Sequence, residues 1–495
     1  MTGTLEGPHA LPAHVAVAIV GSGFAGLATA IGLKRAGRED FVLLERADDL
    51  GGTWRDNSYP GCACDVPSHL YSYSFAPNPQ WSRTFSPQPE IEAYLHRTAL
   101  EAGVLPHLRF GAELEHAAWD GRRWHLVTAR GALTADVLVS ATGGLSEPAV
   151  PSLPGLETFA GTSFHSADWD HAHDLRGRRV AVVGTGASAV QFVPEIQPQV
   201  EHLTVFQRTA PWVLPRRDRA ITDLERTLFR RVPVAQRLAR LGTYWLRESW
   251  ILGFAVDQRV MALGEFEARR HLRAQVPDAA HRAALTPAYR LGCKRVLLSN
   301  TYYPAVSAPN ARVVTTGIRE VVPRGVVAED GSLHEVDTMI FGTGFMATDP
   351  PVAHRLVGAD GRTLAQHWAE RGMQALHGLT VSGFPNLFFL VGPNTGLGHT
   401  SIIVVIEAQV QHLLAALDAM DARGLASIEP LAEAEAAYNA RVQQDLQGTV
   451  WNAGGCSSWY LDAKGRNTTL WPTFTFRFSR QLSEFDLGLY RTAAA

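Results

Sequence analysis

Val17-Ala18-Ile19-Val20-Gly21-Ser22-Gly23-Phe24-Ala25-Gly26 decides how this chain of 495 residues folds. An apolar, β-branched run enters a glycine-rich turn, and a helical pattern leaves it. Glu45 stands 24 positions after Gly21, at the end of a second apolar run. The layout returns in Val180-Ala181-Val182-Val183-Gly184-Thr185-Gly186-Ala187-Ser188-Ala189, with Arg208 at the same distance of 24 from Gly184. Strand, tight turn, helix and second strand make the βαβ unit of a dinucleotide site. The glycines let the backbone approach a pyrophosphate, and the helix N-terminus offers N–H donors and partial positive charge. An acidic residue ending the second strand accepts bonds from ribose hydroxyls, whereas an arginine there pairs with a 2′-phosphate. The first unit therefore predicts FAD, held by Gly21, Gly23, Phe24, Gly26 and Glu45. The second predicts NADPH, held by Gly184, Thr185, Gly186, Ala187, Ser188, Arg208 and Thr209. A solvated surface arginine is the plainer reading of Arg208. Ala189 replaces the third glycine, an accepted variant where helix packs on strand.

The fold class that follows is α/β, with two Rossmann-like domains and a helical insertion in the second. Residues 14–149 form the first part of the FAD domain, ending in the strand-like Asp136–Gly143. Residues 150–215 form the first part of the NADP domain, after a linker marked by Pro148, Pro151 and Pro154. Residues 216–290 read as the helical insertion, on apolar spacings of three and four at Leu224, Leu228, Val232, Leu238, Leu241 and Trp245. Residues 291–337 return to the NADP domain. Residues 338–495 complete the FAD domain and tail, because Phe341-Gly342-Thr343-Gly344-Phe345 parallels Ser140–Gly144. The Pro-rich stretches 148–154 and 211–219 are candidate hinges.

Composition narrows the partners. A net charge of −3 gives no reason to expect nucleic acid or a membrane surface. No run of about 18 apolar residues occurs; the run Ser401–Ile406 stops at Glu407 and continues as an amphipathic helix. Met1–His14 lacks the basic head and apolar core of a secretion signal, so a cytoplasmic location is the default. Cys62, Cys64, Cys293 and Cys456 are too few and too scattered for a disulfide framework, and no metal site is predicted.

Two further segments carry chemistry. Gly51-Gly52-Thr53-Trp54-Arg55-Asp56-Asn57-Ser58-Tyr59-Pro60-Gly61-Cys62-Ala63-Cys64-Asp65 has no periodicity and reads as a loop against a flat ligand. Asp65 is its titratable group, and a turn-capping role is the plainer alternative. Phe159-Ala160-Gly161-Thr162-Ser163-Phe164-His165-Ser166-Ala167-Asp168-Trp169-Asp170 lies between the two units, with His165 more often structural than catalytic on chemistry alone.

Together these segments resemble the type I Baeyer–Villiger monooxygenases, within the class B flavin-dependent monooxygenases. Phe159, Gly161, His165, Trp169 and Asp170 fit that family's linker fingerprint, and the stretch beginning at Gly52 fits its second pattern. The likeness runs on through Gly292-Cys293-Lys294-Arg295, Gly392-Pro393-Asn394-Thr395 and Ser458-Trp459-Tyr460, nearly the whole chain. The resemblance implies an NADPH- and O2-dependent flavoprotein that inserts one oxygen next to a ketone carbonyl through a C4a-peroxyflavin, giving an ester or lactone. It implies that Arg295 stabilises the anionic oxygen and Asp65 positions Arg295. It implies that Lys294 joins Arg208 on the 2′-phosphate and that Trp459 contacts NADP. Thr53, Trp54, Asp65 and Tyr71 are the implied flavin neighbours, and His165 is implied in coenzyme handling. Implied partners are a small-molecule ketone and O2, for a monomer or homodimer. N- or S-oxygenation is the alternative, which the Trp169-Asp170 ending disfavours. A disulfide reductase needs a cysteine spacing that Cys62-Ala63-Cys64 does not offer.

Overall fold

Residues 10–495 are described by a computed structural model; most of Met1–His14, and with it the secretion-signal reading, falls outside them. Two parallel sheets organise the chain. In the first, His14–Val20 runs parallel between Gly131–Ser140 and Phe41–Leu44. An antiparallel meander, Leu114–Trp119 and Trp124–Thr128, extends it beyond Gly131–Ser140. The late strand Leu387–Phe389 also pairs with Gly131–Ser140, which brings the C-terminal part back to this domain. Helices cover both faces, so the inner strands carry near-continuous apolar runs rather than alternation. Val17 to Val20 are all buried.

The second sheet has five parallel strands, in the order Ala311–Val314, His202–Phe206, Arg179–Val183, Thr338–Phe341, Thr162–His165. Thr338–Phe341 corrects a sequence expectation. It was expected to open the second part of the FAD domain at 338, yet it pairs on both sides within the second sheet. An apolar buried run looks alike in either sheet, and only pairing tells them apart. The return crossing comes just after it. There Ala149 N donates to Gly344 O at 2.9 Å and Met346 N to Glu147 O at 3.0 Å, so outgoing and returning segments form one waist between domains.

The stretch 211–219 is not a free linker. Val213–Leu214 pairs with Leu297–Leu298. Asp218 accepts from Thr84 Oγ1 at 2.9 Å and Arg83 Nε at 2.7 Å, which pins the stretch to the first domain. Beyond it come the insertion helices Asp223–Arg231, Pro233–Glu248, Met261–Gln275 and Ala279–Ala284. Thr222 and Glu225 form a reciprocal capping box on the first. The apolar residues that carried the helical reading, from Leu224 to Trp245, are exposed rather than buried.

The helix Ile402–Arg423 is long and apolar enough to cross a membrane, but 56% of its apolar window is buried inside the fold. It packs on Phe24–Arg35, where a Cβ on Gly32 would meet Val410 at 2.7 Å. Glu407 accepts from Ser74 N at 2.5 Å.

Candidate functional site

The first glycine turn is fixed by close approach. Gly21 has φ of 100°, and a Cβ there would lie 2.7 Å from Ala141 O; a Cβ on Gly26 would strike Gly21 O. The helix Phe24–Arg35 that follows has no side-chain cap and no acidic residue in its first turn. Its leading N–H groups remain available to an anion. Gly52 brings its backbone against Gly23, so the 51–65 loop lies along the same turn.

Glu45 is 4% exposed and fully engaged. It accepts from Ser22 N at 3.0 Å, Ser22 Oγ at 2.6 Å and Ala47 N at 3.0 Å. Arg55 Nη1 lies 3.0 Å away. Burial opposes ionisation of Glu45, but Arg55 and these donors outweigh it and hold the carboxyl below its ordinary range. Arg55 also pairs with Asp56 at 2.7 Å. Sequence reasoning quoted Arg55 without giving it this role, since nothing local points from position 55 to position 45. Trp54 Nε1 donates to Tyr71 OH at 3.1 Å, and Tyr71 meets Phe24 edge-on at 5.2 Å. Thr53, Trp54 and Tyr71 thus cluster beside the first turn.

Asp65 and Arg295 come together across 230 positions of sequence. Arg295 donates Nε to Oδ2 at 2.6 Å and Nη2 to Oδ1 at 2.5 Å, a fork-to-carboxylate pair. Both are partly buried, with side-chain exposures of 35% for Arg295 and 22% for Asp65. Asp65 raises the Arg295 pKa further above its ordinary value. Burial works against the Asp65 carboxylate, and Arg295 overrides it, so Asp65 stays ionised below the usual range. The turn-cap reading of Asp65 gives way to this pairing.

Two neighbours escaped the sequence reading. Arg247, from the insertion, donates to Asp65 O at 3.1 Å and lies 4.5 Å over the Trp250 ring. Burial lowers its pKa, with Asp65 pulling the other way. Tyr460, 2% exposed, has its phenol pushed up to about 12 by burial, while nearby Arg295 pulls it down.

Arg208, at the end of the second βαβ unit, lines a cleft of about 170 Å³ with Thr209, Ala288, Tyr289, Lys294, Gly455, Cys456 and Ser457. Lys294 Nζ stands 5.2 Å over the Tyr289 ring. Burial and the nearby Arg208 both lower its pKa. Two cations with no carboxylate in the lining suit a phosphate. The helix Ala187–Ile196 again has no side-chain cap after Gly186, and Thr185 Oγ1 donates to Thr209 O at 3.2 Å. Trp459 is exposed and lies against Tyr460 with the rings tilted by 55° at 4.6 Å, without joining this cleft lining.

Cysteine pairing needs correction. Cys293 and Cys456 form a disulfide 163 residues apart in sequence, joining the residue before Lys294 to the 455–457 segment of the cleft lining. Four scattered cysteines gave no spacing that could announce it. Cys62 and Cys64 are free and buried, and burial pushes the Cys62 thiol up to about 12. Neither is a reactive pair.

The linker fingerprint is structural in its contacts. His165 Nδ1 accepts from Ala167 N at 3.1 Å, and burial lowers its pKa. Phe159 lies against Gly161, where a Cβ would fall 2.7 Å from the ring. Asp170 Oδ1 caps a turn through Ala172 N at 3.0 Å. Trp169 packs on Phe192 at 5.2 Å, on the second-turn helix. From that helix Gln191 accepts from Tyr59 OH at 2.9 Å and donates to Ala63 O at 2.9 Å. Gln191 therefore ties the 51–65 loop to the second domain.

The family model "Flavin-binding monooxygenase-like" matches residues 14–251. A Baeyer–Villiger monooxygenase of Streptomyces coelicolor is 55% identical over 97% of this chain and 92% of its own length. One from Pseudomonas aeruginosa is 50% identical over 96% of this chain and 91% of its own. The chain belongs to the Baeyer–Villiger monooxygenases. Its fold agrees with the NADP+-bound cyclohexanone monooxygenase of Rhodococcus sp. Phi1, with a TM-score of 0.87 and 28% identity over 98% of this chain and 100% of that one. A steroid monooxygenase bound to NADP matches with a TM-score of 0.84 and 29% identity, over 98% of this chain and 100% of that one. The reading as an FAD- and NADP-dependent monooxygenase with two Rossmann-type domains stands on this membership, and N- or S-oxygenation is not favoured.

Proposed function

We propose that this enzyme inserts one oxygen atom beside the carbonyl of a small-molecule ketone, giving an ester or lactone, with Arg295 and Asp65 as its charged centre. Gly21–Gly26 and Glu45 would hold FAD, with Glu45 as the acceptor for ribose hydroxyls. Gly184–Ser188, Arg208 and Lys294 would hold NADPH, the two cations serving its 2′-phosphate. The observation that carries the reading is the forked Arg295–Asp65 pair, held where the flavin-side loop meets the loop after the second cleft.

Reduced flavin supplies the activated oxygen once both nucleotides are bound. Everything else falls to side chains. A guanidinium stays charged when desolvated, so Arg295 would offer a lasting positive charge to the bound flavin. It favours an oxygen that remains anionic and the negative charge that develops on the carbonyl oxygen under attack. Asp65 holds the fork in one orientation, which removes reorganisation from the reacting step. Arg247 braces the Asp65 backbone from the insertion side.

Arg295→Ala should still oxidise NADPH but lose ester formation by roughly 100- to 1,000-fold. Coupled NADPH-consumption and product assays on cyclic, linear and aromatic ketones read both quantities. Full product yield from Arg295→Ala would overturn the role.

A further inference from the structure

The insertion helix Pro233–Glu248 is built inside out. Its polar face is turned into the protein. Gln236 Nε2 donates to Asn78 O at 2.7 Å, and Arg240 Nη1 donates to His69 O and Ser72 O, each at 2.8 Å. Glu248 is 1% exposed and accepts from Thr475 N. Gln236 and Arg240 satisfy carbonyls of the irregular 69–78 loop, while Glu248 accepts from the backbone at Thr475.

The apolar face points the other way. Val234, Leu238, Leu241 and Trp245 are 58%, 62%, 50% and 52% exposed. Their spacing of four, three and four is the narrow seam that one helix presents to another, rather than a broad apolar face. Leu224 and Leu228 on the preceding helix Asp223–Arg231 widen it and are exposed as well.

Gly242 is the second observation. It sits inside this 16-residue helix, where glycine costs about 1 kcal/mol relative to alanine, and nothing lies within 4 Å of where its Cβ would be. Contacts within the chain do not explain it. A second helix crossing closely at that point does.

We infer that this face is the contact between two copies of the chain, with the two Pro233–Glu248 helices packed antiparallel about a two-fold axis. An axis between Leu238 and Leu241 sets Leu238 of one copy on Leu241 of the other, and Val234 on Trp245. An isologous contact repeats each pair twice. A stable interface needs roughly 800 Å² from each partner. Two helices carrying six exposed large apolar side chains on this face, each 45% exposed or more, supply surface of that order.

The test is sedimentation velocity of the FAD-loaded enzyme over a concentration series, with co-sedimentation on anionic phosphatidylglycerol vesicles in parallel. The wild type should sediment at twice the chain mass at micromolar concentration. Leu238→Glu with Leu241→Glu should sediment as a monomer with its flavin retained. Gly242→Leu should weaken the dimer at least tenfold, although leucine favours the helix and leaves the monomer as well folded. A monomeric wild type, or a dimer that survives both changes, overturns the proposal. So does wild type that stays monomeric but binds vesicles, which would assign the face to lipid. The flavin absorbance separates these results from any failure of the oxygenation reading.

Discussion

The two dinucleotide turns share a layout but not a state of readiness. At the first, Glu45 is sealed from water and held by Ser22, Ala47 and Arg55. At the second, Arg208 is exposed and forms no ion pair among the described residues, on the edge of an open cleft it shares with Lys294. A site organised in advance loses little entropy when its ligand binds, and suits a cofactor that stays. An open site with cations free of carboxylate partners suits a coenzyme that must come and go. The same supersecondary unit thus stands in two different surroundings, and the surroundings make the difference.

That contrast can be broken most sharply at Glu45. Glu45→Ala strips Arg55 of one of its two carboxylates in a buried setting, which costs about 3 kcal/mol or more. Lower unfolding free energy and loss of yellow cofactor on gel filtration are expected together. A stable, fully flavinylated variant would remove the distinction between the two sites.

Next in size is the price of burial in the first domain. Glu435 accepts from Ser382 N at 2.7 Å, and burial pushes its pKa from 4.5 to about 7. Between those values the folded chain holds a proton that the unfolded chain has lost. Unfolding free energy should therefore fall as pH rises across that window, by up to about 3 kcal/mol. Glu435→Gln should flatten the slope, as read by urea unfolding at pH 5 and pH 8. An unchanged slope would show that other groups set it.

Smallest in stability is the second site. Arg208→Ala and Lys294→Ala should each raise the KM for NADPH by about tenfold or more, through loss of a charge-assisted bond of about 1.5–3 kcal/mol. The KM for NADH and the unfolding midpoint should stay near their wild-type values. A stability loss equal to that of Glu45→Ala would mean that both sites are equally built in.

Local chemistry made much of this legible in advance. The turn at Gly21 needs glycine because of its own backbone angle and the carbonyl beside it, and that need is written in ten consecutive residues. The pairing of Asp65 with Arg295 reached the sequence reading only through resemblance, because 230 residues separate them. The insertion is instructive in another way. Its spacings announced helices correctly but did not tell which face turns inward. Gln236 and Arg240 donate to carbonyls of the 69–78 loop, and satisfying those outweighs hiding Leu238.

By itself the sequence determined the two βαβ units, the opposite charges that close them at Glu45 and Arg208, and the helical character of the insertion. Each rests on spacing over a few dozen residues, where the backbone period dictates what neighbours what. Tertiary structure alone decided that Thr338–Phe341 joins the second sheet, that Cys293 meets Cys456, that Arg55 clamps Glu45, and that Arg247 braces Asp65. Strand pairing, disulfide bonding and buried charge pairing depend on distance in space, and a chain's order along its length does not encode that distance.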